Sequence, residues 1–489
     1  MKKFCFVLGS ALLVSTSVWA AAATEEISAL ERVLSTSYGA AVQVDTSAGQ
    51  CRIRYPQTTV RANQFNKKKT SSSMTLPASE ATCRKIDDFK SYPQYHISSS
   101  SPNKIKAQIY NLTNLDFVKD IEIQSLREEW DIVPELAWIP SQTTQARGIA
   151  YAPIEDGQKE QLASLASYSS QQQFSETGNR VDYKLESNFN DLKVDISFIS
   201  GQIQSGQSHS DMAYVMPPTA QFDYQNAMQN IGFIASANSS AFLKGIKIDV
   251  PMLAAGIGLD ITTTHKSELT PQKTINSLGT TVFKNIVLST AFIEREKQPQ
   301  NITIKYSLQG IPVETLSEFA QLSEGTDEDT RKLQFARLLD SVADKTKAVL
   351  NLDIYFPEAS ILGTLSLTRR NGYAYGTGSI KVNNLYKLFP QQAACAGASA
   401  TARKVCPNDE LFSMLGDVID ITKNNSETTY KLTEEGIFKN NVKIAPPLEL
   451  NFEKMYRERQ AADKELERSH EAWQAEIQRM EDEINAENI

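Results

Sequence analysis

The feature that most constrains the fold is a strict alternation of apolar and polar residues that recurs from Val181 to Ile444. In an extended strand, successive side chains point to opposite faces of the sheet, so this alternation indicates one buried and one solvated face. Half-buried strands of this kind are typical of antiparallel sheets. The pattern therefore predicts an α+β protein that is predominantly antiparallel β-sheet with few helices. The alternating segments begin at Val181, Lys193, Lys244, Thr281, Asn301, Val349, Ile361, Tyr373 and Thr428.

Changes in composition divide the chain into four predicted regions. The stretch from Gln158 to Ser175 is polar, which is typical of a helix or a linker, and we place a boundary there. A chain of this length is expected to hold two or three domains of about 150 residues each. The regions are a signal peptide at 1–23, an N-terminal α+β region at 24–175 with Cys51 and Cys83, a β-rich body at 176–445, and a charged C-terminal helix at 446–489.

The N-terminal region is predicted to begin with a helix and a hairpin. Thr24 is a suitable N-cap, and the apolar residues that follow fall on one helical face. Alternating residues on either side of a turn-rich DTSAGQ segment then predict two paired strands, with Cys51 on the second. Serine- and lysine-rich segments at 61–79 and 98–101 are predicted to be loops. The apolar positions of the helix are Ile27, Leu30, Val33 and Leu34.

A second helix is predicted near 327–344, within the β-rich body. Thr326 and Asp329 have the spacing of a capping box, which satisfies backbone N–H groups at a helix start. The residues that follow form an apolar stripe suited to covering one face of the sheet. These apolar residues are Leu333, Phe335, Leu338, Leu339 and Val342.

The C-terminal segment predicts a long amphipathic helix, which completes the predicted fold class. Leu466, Trp473 and Met480 are seven residues apart, and Ile477 and Ile484 form a second apolar row. The heptad pattern is regular for only about two repeats, where three to four indicate a coiled coil. Two interpretations therefore remain. The helix binds a protein partner or a second copy of the chain, or it packs against its own sheet.

The first 23 residues have the three parts of a cleavable signal peptide. Lys2 and Lys3 form a basic start, an apolar stretch follows, and small residues occupy the predicted cleavage site. Export to the periplasm is the expectation, with secretion as the alternative. The longest later apolar run, Val250–Leu259, is shorter than the roughly 20 residues that a membrane helix needs. We therefore expect no transmembrane anchor after cleavage.

Four cysteines follow the predicted signal peptide, and an even number in an exported chain favours disulfides. We favour pairing of Cys51 with Cys83 and of Cys395 with Cys406, because the second pair flanks a short loop rich in small residues. Crossed pairings are the alternative. A metal site is disfavoured, since no Cys-x-x-Cys motif and no nearby histidine occur.

Charge and motifs exclude several classes of function. The formal net charge is -8, which disfavours nucleic-acid partners held by bulk electrostatics. The four histidines are widely separated, and no zinc-protease or nucleophile-elbow motif occurs. The sequence therefore predicts no catalytic, cofactor-binding or metal-binding residue. A Ser-His-Asp triad assembled from distant positions stays open, because triads are recognised in space. The histidines are His96, His209, His265 and His470.

The residues of the run Val250–Leu259 are apolar without alternation, so an extended segment there would have two apolar faces. Such a segment can line a groove for a lipid, or it can be a buried strand or a short core helix. The sequence favours the buried interpretation, because apolar core segments are common.

The recurring hairpins, the alternating strands around Tyr183 and Tyr306, and the ending TTYKLTEEGIFKNNVKI resemble the YdgA-like periplasmic proteins of Gram-negative bacteria. The resemblance covers Val181 to Ile444 and implies a periplasmic location and a long β-rich body. It does not extend to the C-terminal helix or the candidate disulfides. It also assigns no catalytic residue to this chain.

These observations predict an exported, non-catalytic protein of the periplasmic cell envelope. Its expected role is binding or scaffolding, with an apolar or lipid ligand and with a protein partner or self-association through the C-terminal helix. The alternative is an exported hydrolase, acting on glycans or esters, whose site forms only in the folded chain.

Overall fold

A computed structural model describes most of the chain. The predicted signal peptide at 1–23 lies outside the described residues, and so do Cys395 and Cys406. The described residues are 26–45, 51–62, 72–101, 105–110, 118–155, 158–159, 163–196, 199–218, 221–224, 230, 232–289, 295–315, 318, 328–388 and 425–487.

The described chain forms a sheet of 23 strands, and each strand is antiparallel to its hydrogen-bonded neighbours. The predicted antiparallel architecture is therefore confirmed. The first eight strands are short except for the last, and they form the N-terminal part of the sheet. They are β1 (Gln43–Asp45), β2 (Cys51–Tyr55), β3 (Thr58–Ala62), β4 (Ser72–Leu76), β5 (Ser79–Lys85), β6 (Tyr95–Ser101), β7 (Ile105–Tyr110) and β8 (Val118–Val133).

The later strands are mostly longer and follow one another along the chain. They are β9 (Trp138–Glu155), β10 (Gln158–Lys159), β11 (Ala163–Thr177), β12 (Arg180–Ile196), β13 (Ile199–Val215), β14 (Ile234–Val250), β15 (Ala255–Leu269), β16 (Thr274–Ser289), β17 (Asn301–Pro312), β18 (Lys347–Tyr355), β19 (Ser360–Arg370), β20 (Tyr373–Asn383), β21 (Asn425–Thr433), β22 (Gly436–Lys439) and β23 (Val442–Ala445).

The order of the strands is a meander with a branched beginning. From β11 to β23, each strand pairs with the next along the chain. Strand β9 joins β11 to β8. One half of β8 then pairs with β6, which continues to β5, β2 and β1, and the other half pairs with β7, which continues to β4 and β3. The strands from β11 to β20, which carry most of the candidate site described below, therefore lie side by side in chain order.

Four helices whose two ends both lie among the described residues accompany the sheet: α1 (Glu26–Tyr38), α2 (Glu328–Ala343), α3 (Leu385–Leu388) and α4 (Phe452–Glu487). The helices predicted after Thr24 and near 327–344 are therefore present. Helix α1 ends where Gly39 adopts a positive φ of 74° and donates its N–H to the Ser35 carbonyl, a common helix C-cap. Leu30 and Leu34 of α1 are fully buried against β2, β5, β6 and β8.

The start of α4 is fixed on α2. The backbone N–H groups of Phe452 and Glu453 donate to the carboxylate of Asp340 at 2.9 and 3.0 Å, which caps the helix N-terminus from a neighbouring element. The buried Arg369 of β19 pairs with the same carboxylate at 3.0 Å. Hydrogen bonds from the guanidinium groups of Arg337 and Arg457 lower the pKa of Glu453 to about 2. These contacts fix the point from which α4 extends.

Three local predictions are wrong and one is confirmed. The polar stretch Gln158–Ser175 is neither helix nor linker, because most of it is strand β11, which is paired on both sides. Likewise, the serines at 98–101 lie in β6, and β4 lies within the predicted loop at 61–79. Cys51 and Cys83 are directly opposed on β2 and β5 and form a disulfide, as predicted.

No helix among the described residues is long and apolar enough to cross a lipid bilayer.

Candidate functional site: an apolar trough

One continuous row of apolar side chains crosses the sheet from β8 to β20. Each residue in the row lies directly opposite the next across neighbouring strands, so all of them share one face. At the usual spacing of about 4.8 Å between strands, the row is roughly 50 Å long. We call it the apolar row. It consists of Leu126, Ala146, Tyr168, Phe189, Gly206, Leu243, Ile261, Phe283, Ile302, Ile354, Ile361 and Val382.

The two faces of the central sheet differ in exposure. In β12, Tyr183 and Phe189 are half-buried, whereas Lys184 and Glu186 on the opposite face are exposed. The central members of the apolar row, on β14 to β17, are also only half-buried and belong to none of the buried core clusters formed by described residues. This part of the apolar face therefore lacks a second packed layer among the described residues.

A line of left-handed residues crosses the same strands next to the apolar row. Gly148, Asp191, Gly245 and Asn285 have φ values of 59°, 53°, 63° and 54°, and they lie on β9, β12, β14 and β16. At the same level the pairing register shifts between β14 and β15 and between β15 and β16, which marks β-bulges, and bulges bend a strand and change its side-chain alternation. We call this line the crease, and it bends successive strands at one level.

Side chains fix the crease. The carboxylate of Asp260 accepts hydrogen bonds from the Gly245 N–H and from the Asn285 side-chain amide, both at 2.6 Å. A Cβ atom at Gly245 would come within 2.4 Å of the Gln204 side chain. Glycine is therefore required at this position both by its positive φ and by the close approach of Gln204.

The apolar face continues on both sides of the crease. Leu126 and Ile123, on opposite sides of the crease in β8, pack into one cluster, and Phe189 and Leu192 of β12 pack into the same cluster. Side chains three residues apart share a face in both strands, so the alternation of side chains changes at the crease. The apolar face is therefore continuous across the crease. We call this apolar face, from β8 to β20, the trough.

Helix α1 closes one end of the trough. It covers the same face of β2, β5, β6 and β8, and Glu128 lies at the boundary between the covered and open parts. Burial raises the pKa of Glu128. Burial, and then the nearby Glu128 carboxylate, raise the pKa of Tyr55. The Tyr55 hydroxyl and the Trp130 indole N–H are buried, and neither has a hydrogen-bond partner in the described part of the chain.

An aromatic cluster lies along the side of the trough where β11 and β12 are joined. Trp138, Phe174 and Tyr224 pack together, with Trp138 and Tyr224 ring centroids 4.5 Å apart. Glu176 accepts a hydrogen bond from the Lys90 ammonium at 2.6 Å, and the Tyr224 hydroxyl bonds to both residues. These contacts make this side a packed wall.

A polar cluster interrupts the apolar face near its middle. The Nδ1 atom of His265 is 2.8 Å from the Tyr306 hydroxyl, and its Nε2 atom is 2.8 Å from the Ser267 hydroxyl. Ser277 lies 3.5 Å from the same Nε2 atom, and both serines are buried. The Ser267 hydroxyl is thus hydrogen-bonded to one ring nitrogen of His265, and the other ring nitrogen is hydrogen-bonded to Tyr306.

The sequence did not single out this cluster. The local signal is His265-Lys-Ser267, which places histidine and serine on one face of a strand, but Tyr306 is two strands away. The other strand histidines pair with carboxylates instead. Nδ1 of His96 is 2.8 Å from Asp131, and Nε2 of His209 is 2.6 Å from Asp211.

The predicted apolar run Val250–Leu259 is a connection between strands. Its residues end β14, form a 3-10 turn at Pro251–Leu253 and begin β15. Met252 in the turn is 83% exposed. Both the buried strand and the core helix are therefore wrong, although Leu259 at the end of the run pairs with Ile246 on the apolar face.

Neither a metal site nor an enclosed pocket competes with the trough. Within the described ranges, no group of three or more His, Cys, Asp or Glu residues could hold a metal ion. Two depressions that these residues form share Lys431, Phe438 and Asn441, and Thr377 and Ser379 line the second of them. Their linings are mainly polar, whereas ligand sites are mostly apolar, so the trough is the stronger candidate for an apolar ligand.

Comparison with family models, curated proteins and solved structures found no match to this chain.

Proposed function

We propose that this protein is an exported, non-catalytic binding protein of the periplasmic cell envelope that holds an elongated apolar ligand, such as a lipid acyl chain, in its trough. The observation that carries the proposal is the apolar row, whose central part no described element covers. Large exposed apolar surfaces on soluble proteins usually serve binding. The signal-peptide pattern at 1–23 supports the location.

The size of the apolar row suits a weakly held chain molecule. Burial of one methylene group stabilises a complex by about 0.8 kcal/mol, so roughly ten methylenes supply about 8 kcal/mol. Loss of ligand freedom and desolvation of the hydroxyls beside the row reduce this value. We therefore expect dissociation constants that are micromolar or weaker.

The test is lipid recovery together with a matched pair of variants. Native mass spectrometry of the gently purified protein is expected to show bound lipid, and a fluorescent fatty acid is expected to bind the delipidated protein. Ile261→Asp places a charge on the apolar row and should weaken binding at least tenfold. Thr262→Asp, its neighbour on the opposite face, should bind like the wild type. Equal binding by the two variants, or no binding by the wild type, would contradict the proposal.

A second candidate function is ester hydrolysis at Ser267. The Ser267 hydroxyl would attack the ester carbonyl while His265 Nε2 accepts its proton, with Nδ1–H donating to Tyr306. The same proton would pass to the leaving alcohol, and water would then hydrolyse the acyl-serine. This candidate ranks second because the flanking strands are paired on both sides, which occupies the backbone N–H groups that could stabilise an oxyanion.

A fluorophosphonate probe separates the two functions. If the protein is a hydrolase, the probe labels the wild type and the Ser277→Ala variant but not Ser267→Ala. Absence of labelling at Ser267, with acyl-chain binding intact, leaves the binding function alone.

Helix α4 is proposed as a long amphipathic association helix that binds a second copy of the chain. Leu466 and Trp473 are 69% and 62% exposed, which argues against packing of this stripe on its own sheet. Light scattering should detect a dimer that is lost in Leu466→Glu/Trp473→Glu but kept in Ser469→Glu. A wild-type protein that stays monomeric at all accessible concentrations would show that the helix does not self-associate.

A further inference from the structure

The two ends of the long strands carry connections of different chemistry. At the end where β11, β15, β19 and β21 finish, the turns are polar, with the sequences TGNR, TPQK, RNGY and TEEG. At the opposite end, β14 and β18 finish in the apolar connections VPMLAA and YFPEA, and between them β16 finishes in a connection that includes the charged turn Arg295–Lys297. Antiparallel pairing from β11 to β21 fixes which connections share an end. We call the second end the apolar lip.

The most exposed apolar side chain at the lip is Met252, which is 83% exposed in the turn Pro251–Leu253. Pro251 and Ala254 beside it are exposed as well. Val287, on the neighbouring strand β16 close to this end, is 42% exposed. Pro251, Met252 and Ala254 thus present an exposed apolar turn at this end of the sheet.

The backbone of this turn does not require methionine. The turn Pro134–Leu136 has the same structure. Both turns follow valine, begin with proline and end on an alanine at φ 46°, ψ 39° whose N–H donates to the proline carbonyl at 3.0 Å. The residue that corresponds to Met252 in this second turn is Glu135. The exposed methionine therefore has no role in forming the turn.

The trough is continuous with the apolar lip. Ile248, Ile257 and Leu288 lie directly opposite one another on β14, β15 and β16, beyond the crease and close to the lip, and all three are half-buried. The apolar face thus extends to the strand ends at the lip. At the other end, the aromatic wall and the polar turns stand between the trough and solvent.

We propose that the apolar lip docks on a lipid bilayer through Met252 and its neighbours, so that acyl chains pass between the membrane and the trough. This inference rests on the proposed binding function. A bilayer fits better than a protein partner, because the apolar groups sit on projecting connections that can enter the acyl-chain region. The apolar face behind them offers lipid chains a continuous path.

Vesicle flotation tests the inference. The full chain, with its disulfide intact, is mixed with vesicles of equal parts phosphatidylethanolamine and phosphatidylglycerol. Wild-type protein should float with the vesicles. Met252→Glu should reduce the bound fraction about tenfold, and it should fold normally because the matching turn carries glutamate. Gln272→Glu, which adds the same charge to an exposed residue in a polar turn, should float like the wild type.

A second measurement keeps this inference separate from the proposed function. Met252→Glu should bind a fluorescent fatty acid in solution as the wild type does, because Met252 lies outside the trough. If flotation of the wild type fails while fatty-acid binding persists, docking of the apolar lip on a bilayer is wrong and the proposed binding function stands. If fatty-acid binding fails, the proposed function is wrong.

Two further outcomes overturn the docking inference. Equal flotation of the wild type and Met252→Glu shows that another surface contacts the membrane. Light scattering that shows a dimer converted to a monomer by Met252→Glu assigns the lip to a second copy of the chain instead.

Discussion

The part of the sheet that α1 covers and the trough have the same alternating sequence pattern but differ in how deeply their apolar side chains are buried. Ile53 and Ile97, under α1, are completely buried, whereas Ile261 and Phe283 in the trough are only half-buried. Both sets come from alternating strands, and cross-strand pairing places them on the same face. Alternation therefore specifies that a strand has an apolar face, while the presence of a covering element decides whether that face becomes core or stays open, as in the proposed binding surface.

Helix α1 also shows what this face can accept. Its Leu30 and Leu34 side chains pack on the apolar face of the first strands, and an acyl chain is proposed to pack on the same face in the trough. The boundary between the two regions is marked by Glu128, whose burial raises its pKa. The covered region and the trough should therefore respond differently to substitution.

Truncation of an apolar side chain should cost much more under α1 than in the trough. Leu30→Ala removes a fully buried side chain and should lower the free energy of unfolding by about 3–4 kcal/mol. Leu243→Ala removes the same atoms from a half-buried site and should cost about 1 kcal/mol. Denaturant unfolding followed by circular dichroism measures both. Equal losses would mean that the trough is packed like the core.

Removal of the disulfide should destabilise the covered region. Cys51→Ser/Cys83→Ser should lower the free energy of unfolding by roughly 2–4 kcal/mol, because the cross-link limits the unfolded chain. Fatty-acid binding by the folded double variant should be unchanged, since both residues lie at β2 and β5. A change in binding without a change in stability would contradict the separation of the two regions.

Stiffening the crease should affect both stability and binding. Gly245→Ala places a Cβ atom against Gln204 at a positive φ, and should cost about 1–2 kcal/mol. Because the crease shapes the trough, fatty-acid binding should weaken with it. Gly201→Ala is the matched control, since its nearest neighbour would be 3.7 Å away. Similar effects at the two glycines would show that the crease does not shape the trough.

Neutralising Glu128 should have the smallest effect. Its raised pKa means that the charged form is disfavoured in the folded protein, so stability is lost as pH rises through the folded pKa. Glu128→Gln should therefore be more stable than the wild type at neutral pH. The difference should disappear at acidic pH, where Glu128 is protonated in both states. Thermal unfolding as a function of pH measures this, and a stability gain that persists in acid would contradict burial of the carboxylate as its cause.

The sequence was sufficient for the strands that alternate and insufficient for those that do not. Strand β11 was missed because its apolar-face positions include Ser170 and Gln172, so both of its faces are polar. The crease was not predicted, because Phe189 and Leu192 share a face although they are three residues apart, and this spacing breaks the two-residue alternation. Helix α1 was predicted, but the strands that it covers are set by pairing between distant segments.

The candidate site was predictable only in kind. Alternation indicated an apolar face, and the run Val250–Leu259 suggested an apolar ligand for a reason that is wrong in detail. The polar cluster depends on Tyr306 reaching His265 across β16, where Gly279 leaves room for the tyrosine ring. No local spacing in the chain contains that information.

The most direct test of the account uses two neighbouring residues on opposite faces of β16. Phe283→Trp places an indole in the apolar row, and Val282→Trp places one on the polar face. Fatty acids carrying bromine on the acyl chain are added to each variant, and quenching is measured relative to the wild type, which supplies the background of the native tryptophans. Binding of an acyl chain in the trough predicts additional quenching for Phe283→Trp and none for Val282→Trp. Equal quenching of the two variants, or none in either, would contradict binding of an acyl chain in the trough.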